Sequence, residues 1–307
     1  MGLPGMISHI PNLLVLAELV RAPAALTVPG DSLAGAAAAG WPFGPRTPAL
    51  AASSVCLYWA GMALNDYADR AVDAVERPGR PIPSGRVRPQ LALGLAAGLT
   101  GCGVVIAGAA GGRPAVAVAL PLAGTIWAYD LGLKSTPAGP LAMAAARVLD
   151  VLLGAGAQRL RPAVPIASLI GAHTLAITLL SRGEVTGTVR RLPLATLGIT
   201  TLVAGCSGAA RCSAATRCPP AAAAPRWHRL VTRSLLGTYL ATFGTAQLAA
   251  ARDPAAPMVR RAVSTGILAL LPLQAALAGR AGAPRTAAAI AAAFPVSRRL
   301  ARKVSPT

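Results

Sequence analysis

Long, uninterrupted runs of apolar residues constrain this chain more than any other feature of its sequence. The stretch from Leu91 to Gly111 is one example, because it contains no charged side chain. A run of this length can cross the hydrocarbon core of a bilayer as a helix, which satisfies its own backbone hydrogen bonds in lipid. A transmembrane barrel needs alternating apolar and polar residues instead, and these runs do not alternate.

Composition excludes the main alternatives to a membrane protein. Hydrophobic residues make up 54% of the chain and charged residues only 13%, whereas soluble domains carry about 25% charged residues. Intrinsic disorder is excluded as well, because it requires a polar composition. The sequence therefore predicts an all-α, polytopic membrane helical bundle.

Nine runs are long enough to be membrane spans, and they lie at roughly 13–38, 48–66, 89–110, 114–131, 139–157, 163–181, 191–207, 230–250 and 262–279. A tenth run, 286–296, is short, which predicts an interfacial or half-spanning helix. No repeat and no long linker divides the chain. We therefore expect a single transmembrane domain over 1–307, in which 284–307 form an interfacial helix and a basic tail.

The net charge of +19 is better explained by membrane orientation than by nucleic acid, because aromatic residues total only 4% and no basic run is interleaved with them. With nine alternating spans, the basic segment 70–88, Lys134 and the arginines within 182–191 lie on one side, which predicts that this side is cytoplasmic. The loop 208–229 and the tail 298–303 are also basic, yet the same count places both outside.

The acidic residues are concentrated at one place. Four of the ten lie between 66 and 76, at the end of the second predicted span. On one helix, four side chains here would share an arc of about 100°, namely Asn65, Asp66, Asp69 and Asp73. Neighbouring carboxylates repel one another, and a shared cation relieves this; oxygen ligands of this kind suit Mg²⁺. The alternative is a solvated helix end whose carboxylates pair with Arg70 and Arg77.

The residues at 65–86 resemble the first aspartate-rich motif and following loop of the UbiA family of intramembrane prenyltransferases. They read NDYADRAVD at 65–73 and ERPGRPIPSGR at 76–86, and the family patterns are NDxxDxxxD and RPxRPIPSG. The resemblance implies a helical bundle around a central cavity. It also implies Mg²⁺-dependent transfer of an isoprenyl group from an allylic prenyl diphosphate to an aromatic or other lipophilic acceptor.

A second element, YDLGLK at 129–134, resembles the family's Tyr-x(3–4)-Lys element, whose lysine contacts diphosphate; the alternative is an interfacial tyrosine with a snorkelling lysine. We therefore expect catalytic roles for Asp66, Asp69, Tyr129 and Lys134. The expected metal ligands are Asn65, Asp66, Asp69, Asp73 and Glu184. The expected substrate-binding residues are Arg21, Arg77, Arg80, Arg147, Asp150 and Arg182. Trp127 and Tyr129 are candidates to stabilise a carbocation by their π faces.

The loop at 181–187 departs from the family pattern. The family has a second aspartate-rich motif after the sixth span, whereas this loop reads SRGEVTG and contains one carboxylate, Glu184. Three interpretations stay open. Glu184 holds one metal while Arg182 meets the diphosphate directly, the protein uses a single Mg²⁺, or it is catalytically weak.

Other charges lie inside predicted spans, where ionisable groups are costly and functional by default. Arg147 and Asp150 share a helix face, so they either neutralise each other or form a cavity floor that touches the acceptor. Glu18 and Arg21 admit the same two interpretations. Among uncharged candidates, His173 and Thr174 either face the cavity or pack within the bundle.

Two competing interpretations involve no catalysis. The chain could be a transport-type membrane protein, or a non-catalytic protein with a degenerate prenyltransferase fold. The clustered carboxylates at one membrane face favour the enzyme. Its expected partners are a prenyl diphosphate, a lipophilic acceptor and membrane lipid; we expect no nucleic acid and infer no obligate protein partner. Its expected location is the bacterial cell membrane, with the site facing the cytoplasm.

Overall fold

The computed structural model describes residues 12–21, 27–40, 44–156, 159–209 and 226–301. These residues form α-helices with short connections and no strand. The helices are α1 Leu13–Leu19, α2 Val28–Ala38, α3 Arg46–Ala68, α4 Arg70–Glu76, α5 Pro89–Leu131, α6 Gly139–Ala155, α7 Leu160–Ser181, α8 Arg191–Ala209, α9 Arg226–Tyr239, α10 Thr245–Arg252, α11 Ala256–Arg280 and α12 Pro284–Ala301. A 3₁₀ turn, Leu133–Ser135, follows α5, and a π-helical turn, Leu240–Gly244, joins α9 to α10. The predicted all-helical membrane fold is confirmed.

Four of the described helices are long and apolar enough to cross a membrane: α3, α5, α7 and α11. The predicted spans 139–157, 191–207 and 230–250 coincide with α6, α8 and the run from α9 to α10, which lie outside this group of four. Helix α11 has the most buried apolar window of the four, at 72%. It packs against α2, α7, α9 and α12, so it is the central helix of the bundle.

Helix α5 is two antiparallel arms rather than one rod. Gly112 adopts φ 68° and ψ −165° inside it, a conformation that glycine tolerates because it lacks a Cβ. The Trp127 indole of the second arm donates a hydrogen bond to the Thr100 hydroxyl of the first at 3.0 Å. The break therefore confirms the boundary predicted between the spans 89–110 and 114–131.

The prediction of one span over 13–38 is wrong. Helix α1 ends at Leu19, and Arg21 has a left-handed φ of 46°, which an α-helix cannot contain. Helix α2 begins at Val28 with Pro29 in its first turn, a position that suits proline. At the end of α1, the Arg21 side chain donates hydrogen bonds to Asn65 Oδ1 and Asp66 Oδ1 on α3.

Helix α12 doubles back along α11. Near its start, Ala287 packs on Gly279; near its end, Phe294 and Arg298 line a groove with Arg261 and Thr265. Because α12 returns to the N-terminal end of α11, Arg298 lies on the same side of the bundle as that end. The short run predicted at 286–296 is thus part of an 18-residue helix, and residues 302–307 of the basic tail lie outside the described residues.

Two glycines bring α2 and α6 into backbone contact. A Cβ at Gly35 would clash with the Val151 carbonyl oxygen, and one at Gly154 would clash with the backbone of Ser32. Small residues let membrane helices approach this closely. The approach sets the polar side chains of α2 against those of α6, where they form one end of the cavity described next.

Candidate active site

A cavity of about 360 Å³ opens between α3, α5, α6, α7 and α11. Its mouth is polar, and the residues there include Arg21, Asn65, Arg77, Tyr129, Asp130 and Glu184. Its walls are apolar and include Leu57, Leu122, Ile126, Met143, Ile177 and Leu270. At the far end lies a polar floor, which consists of Thr27, Ser54, Tyr58, Arg147 and Asp150. The shape suits a ligand with a charged head and an apolar body.

The aspartate cluster spans two helices rather than one. Helix α3 ends at Ala68, and Asp69 is the residue between α3 and α4. The turn stays tight, since the Asp69 backbone N–H donates to Asn65 O at 2.9 Å and that of Asp73 donates to Asp69 O at 2.8 Å. The single helical stripe predicted from the sequence is thus wrong in detail, although its residues remain neighbours.

Three basic side chains neutralise this cluster. Asp66 Oδ1 lies 3.3 Å from both Arg21 Nη2 and Arg80 Nη1, and Arg80 also pairs with Asp73 at 2.7 Å. Lys134 Nζ lies 2.6 Å from Asp69 Oδ1. Asp66 and Asp73 are buried. The structure therefore brings together the two elements, 65–86 and 129–134, that the sequence placed at one site.

Arg70 and Arg77, the partners expected for the carboxylates at a solvated helix end, make other contacts. Arg70 stacks on Tyr67, with its guanidinium carbon 4.5 Å from the ring centroid, and donates to the Tyr67 carbonyl. Arg77 lines the cavity instead. The interpretation in which Arg70 and Arg77 pair with the carboxylates is wrong. Arg77 is thus placed where it can meet a bound anion.

Asp130 is a site residue that the sequence reasoning missed. It lines the cavity, is buried, and accepts a hydrogen bond from Asn65 Nδ2 at 3.3 Å. The neighbouring Tyr129 lines the cavity as predicted. A signal was available, because an acidic residue at the end of an apolar span is a functional candidate by default.

The two charged residues of the loop at 181–187, Glu184 and Arg182, point to different places. Glu184 lines the cavity, and its Oε1 atom is buried without a hydrogen-bond partner. Burial raises the pKa of Glu184, while the charges of Arg260 and Arg77 oppose that rise. Arg182 instead hydrogen-bonds to the Thr136 carbonyl. The structure thus brings Glu184 to the site and directs Arg182 to a loop carbonyl.

The floor is built around an ion pair that the sequence did not predict. Arg147 Nη1 lies 2.5 Å from Asp31 Oδ2 of α2, and Gln274 Nε2 of α11 donates to Asp31 Oδ1 at 2.6 Å. The proposed neutralising pair of Arg147 with Asp150 is therefore wrong. Asp150 Oδ1 instead accepts a hydrogen bond from the Ser54 hydroxyl at 2.5 Å. Arg147 and Asp150 both line the cavity, as the functional interpretation expected.

Several weaker candidates are resolved by their contacts. Glu18 pairs with Arg86 at 2.6 Å on the exposed surface. His173 is fully buried and hydrogen-bonded to Tyr239 and to the Gly266 carbonyl, so its role is packing. Arg21 and Thr174 line the cavity. Trp127 instead packs between the arms of α5.

The donor chemistry of the mouth fits Mg²⁺. Carboxylate and amide oxygens are its preferred ligands, and it keeps few protein ligands beside phosphate and water. Glu184 Oε1 can take a cation without losing a hydrogen bond, because it has none in the structure. Within the described ranges, no three acidic, histidine or cysteine side chains already converge on one point. A Mg²⁺ held here would take its remaining ligands from phosphate oxygens and water.

Comparisons with known proteins agree with this geometry. A model of the UbiA prenyltransferase family matches residues 27–261. A digeranylgeranylglyceryl phosphate synthase of Methanothrix thermoacetophila is 43% identical over 100 residues, which cover 32% of this chain and 37% of that protein. One of Ignicoccus hospitalis is 33% identical over 168 residues, covering 52% and 55%. The matches thus span about one third to one half of these relatives' length.

A solved structure of a digeranylgeranylglyceryl phosphate synthase in membranes shares the fold. The TM-score is 0.61 at 16% sequence identity, and the alignment covers 88% of this chain and 98% of that one. Identity this low supports the fold alone, but the family match covers most of the chain and includes the aspartate cluster and the Tyr129–Lys134 element. The protein is an integral membrane protein, and it belongs to the UbiA prenyltransferase family.

Proposed function

We propose that this protein transfers an isoprenyl group from an allylic prenyl diphosphate to an acceptor within the membrane, with Mg²⁺ as cofactor. One observation carries the proposal: the cavity has a cation-rich mouth beside a carboxylate cluster, and apolar walls beneath it. A prenyl diphosphate needs both environments, because its diphosphate is anionic and its isoprenyl tail is apolar. The carboxylate cluster at one face has no place in a simple transport path, which favours the enzyme.

The mouth binds the diphosphate through charge. Arg77 faces the cavity, and Arg21, Arg80 and Lys134 lie within 3.3 Å of the carboxylates they neutralise. A bound Mg²⁺ would be held by Asn65, Asp66, Asp69, Asp73 and Glu184, and it would neutralise charge on the departing diphosphate. Basic side chains released from their carboxylates then turn toward phosphate oxygens. Such fixed charges act most strongly in a site that excludes water.

The apolar walls of the cavity protect the carbocation that forms when the diphosphate leaves. Cleavage of the bond between C1 and the diphosphate oxygen leaves an allylic carbocation, which water would hydrolyse. Apolar side chains such as Ile126 and Ile177 line the cavity beside the mouth and keep water out. Tyr129 lies at the same level and presents a ring whose π face can stabilise the cation.

The chemical class of the molecule that accepts the isoprenyl group is the next part of this proposal. The relatives are named for a product that carries two geranylgeranyl groups on glyceryl phosphate, which makes a lipid alcohol a class to test beside aromatic acceptors. We also propose that 1–307 act as one domain in a bacterial cell membrane. The mouth would face the cytoplasm, because the basic residues Arg77, Arg80 and Lys134 lie there and basic residues favour the cytoplasmic side.

The function is tested with membranes that contain the full chain, incubated with radiolabelled prenyl diphosphates of graded length and a lipid extract as acceptor source. We expect labelled lipid in the presence of Mg²⁺, none with EDTA, and recovery when Mg²⁺ is restored. Asp66→Asn should insert normally and lose the product. Glu76→Gln, an exposed change in α4, is the matched control. Unchanged product from Asp66→Asn would overturn the assignment.

The orientation has its own test. A cysteine at Gly79 fits the structure, because a Cβ there meets no atom within 4 Å. In a variant without native cysteines, it should react with a membrane-impermeant thiol reagent in inverted vesicles and be protected in intact cells. Labelling in intact cells would place the mouth on the external side.

A further inference from the structure

The floor of the cavity has polar groups that an isoprenyl tail cannot use. Ser54 precedes Asn65 by 11 residues on α3, so the floor lies about 16 Å below the mouth at 1.5 Å per residue. An ion pair and a second carboxylate at this depth are costly in a membrane unless they serve packing or a ligand. Arg147 and Asp150 line the cavity, so a ligand can reach both.

Hydrogen-bond capacity remains at the floor. Asp150 Oδ1 accepts from Ser54 at 2.5 Å and from Ser32 at 3.4 Å, and Oδ2 lies outside these two bonds. The Tyr58 hydroxyl, which can both donate and accept, belongs to the same surface. A prenyl tail packed here would place Asp150 Oδ2 and the Tyr58 hydroxyl against apolar atoms that offer them no hydrogen bond, at a cost in free energy. The second substrate must therefore supply the polar contact.

The charges at the floor disfavour an anion. Its one basic side chain is Arg147, which Asp31 already neutralises at 2.5 Å. Arg21, the nearest basic residue toward the mouth, is held by Asp66. An ionised Asp150 repels a carboxylate or phosphate, and a protonated one offers a single donor and no positive charge. Among the described residues, the floor offers an anionic head no positive charge beyond Arg147, which is already paired.

We propose that the acceptor is a neutral, hydroxyl-bearing molecule, and that its hydroxyl groups remote from the reacting atom bind Asp150 and Tyr58 at the floor. The inference rests on the proposed function and specifies its acceptor. The reacting atom must lie nearer the mouth, since the diphosphate binds there. Asp150 is thus a specificity-determining residue that recognises the acceptor without taking part in bond cleavage.

The test measures binding, so it does not depend on turnover. Full-length protein in lipid nanodiscs is dialysed to equilibrium with tritiated myo-inositol, a neutral polyol, or with labelled 4-hydroxybenzoate, an anionic aromatic compound. We expect wild-type protein to retain the polyol at least about 10-fold better, which is about 1.4 kcal/mol. Equal or better retention of 4-hydroxybenzoate, or retention of neither compound, would overturn the proposal.

Variants assign the preference to the floor. Asp150→Asn keeps the shape and both serine contacts but removes the carboxylate, so the preference should fall at least about 5-fold (about 1 kcal/mol). Ser54→Ala leaves the charge unchanged and should keep the preference. Asp253→Asn makes the same chemical change at an exposed position outside the cavity and should match wild type. An unchanged ratio in Asp150→Asn also contradicts the proposal.

The outcome separates this inference from the proposed function. Prenyl transfer with an unexpected preference at the floor leaves the proposed function standing and removes the acceptor assignment. If the protein prefers the polyol but no membrane assay detects prenyl transfer, the binding preference of the floor stands and the proposed function falls. Thermal unfolding of Asp150→Asn alongside wild type shows whether a loss of binding reflects a loss of fold.

Discussion

Each end of the cavity holds a carboxylate in contact with arginine, but the two ends are built differently. At the mouth, Asp66 and Asp73 share Arg80, which lies 14 and 7 residues away in the chain. At the floor, Asp31 meets Arg147 across 116 residues and Gln274 across 243. The Arg80 part of the mouth is thus assembled by a local motif, to which Arg21 and Lys134 add distant contacts, and these partners can exchange with a ligand. The floor is assembled by the fold, and its ion pair is part of what holds the helices together.

This comparison predicts that the floor carries stability. Asp31→Ala would leave the partly buried Arg147 guanidinium without its carboxylate, and breaking a buried pair costs up to about 3–5 kcal/mol. Unfolding of the purified protein in mixed micelles should therefore shift strongly. Asp253→Ala, at an exposed position, is the control. A shift no larger than that of the control would mean that the Asp31 pair contributes no stability.

The mouth should instead carry activity. Asp69→Asn removes the charge of a half-buried residue between α3 and α4 that pairs with Lys134. The amide oxygen can still accept from Lys134, so folding should change by about 1 kcal/mol, the scale of one hydrogen bond. Prenyl transfer should fall by about 100-fold or more, as when electrostatic stabilisation of a transition state is lost. The measurement is kcat in membranes with matched protein levels. A stable variant with wild-type kcat would erase the distinction between the two ends.

Glu184 tests whether the second loop belongs to the mouth. If it holds a metal, Glu184→Gln should raise the Mg²⁺ concentration for half-maximal rate roughly 10-fold, which is about 1.4 kcal/mol. Arg182→Ala should leave that concentration unchanged, because its side chain contacts the Thr136 carbonyl. The opposite pattern would assign the loop to direct contact with diphosphate.

The smallest effect belongs to the exposed pair of Glu18 and Arg86. Both side chains are more than one third exposed, so water and salt screen the interaction. Glu18→Gln should lower stability by less than about 1 kcal/mol and leave prenyl transfer unchanged. A large loss of activity would show that α1 contributes to the site, in addition to Arg21, which follows it.

The two ends also differ in how far the sequence could predict them. The mouth was predicted because Asn65, Asp66, Asp69 and Asp73 follow one another at a diagnostic spacing, and Lys134 follows a second element. The partner of Arg147 was not, because Asp31 lies in an apolar run and meets it only through the contact of α2 with α6. Sequence periodicity identifies helices, whereas partners this distant depend on how the helices pack.

The break at Gly112 has a consequence for how the protein assembles. It reverses the chain with one left-handed residue, so the two arms of α5 meet through neighbours in sequence such as Gly108 and Val116. Contacts of such short range form early, because little chain entropy is lost in making them. We expect this helical hairpin to enter the bilayer as a unit during synthesis and to provide the surface on which α3 then docks. A residue with a side chain at 112 would disfavour this reversal while the chain beyond α5 is still being synthesised.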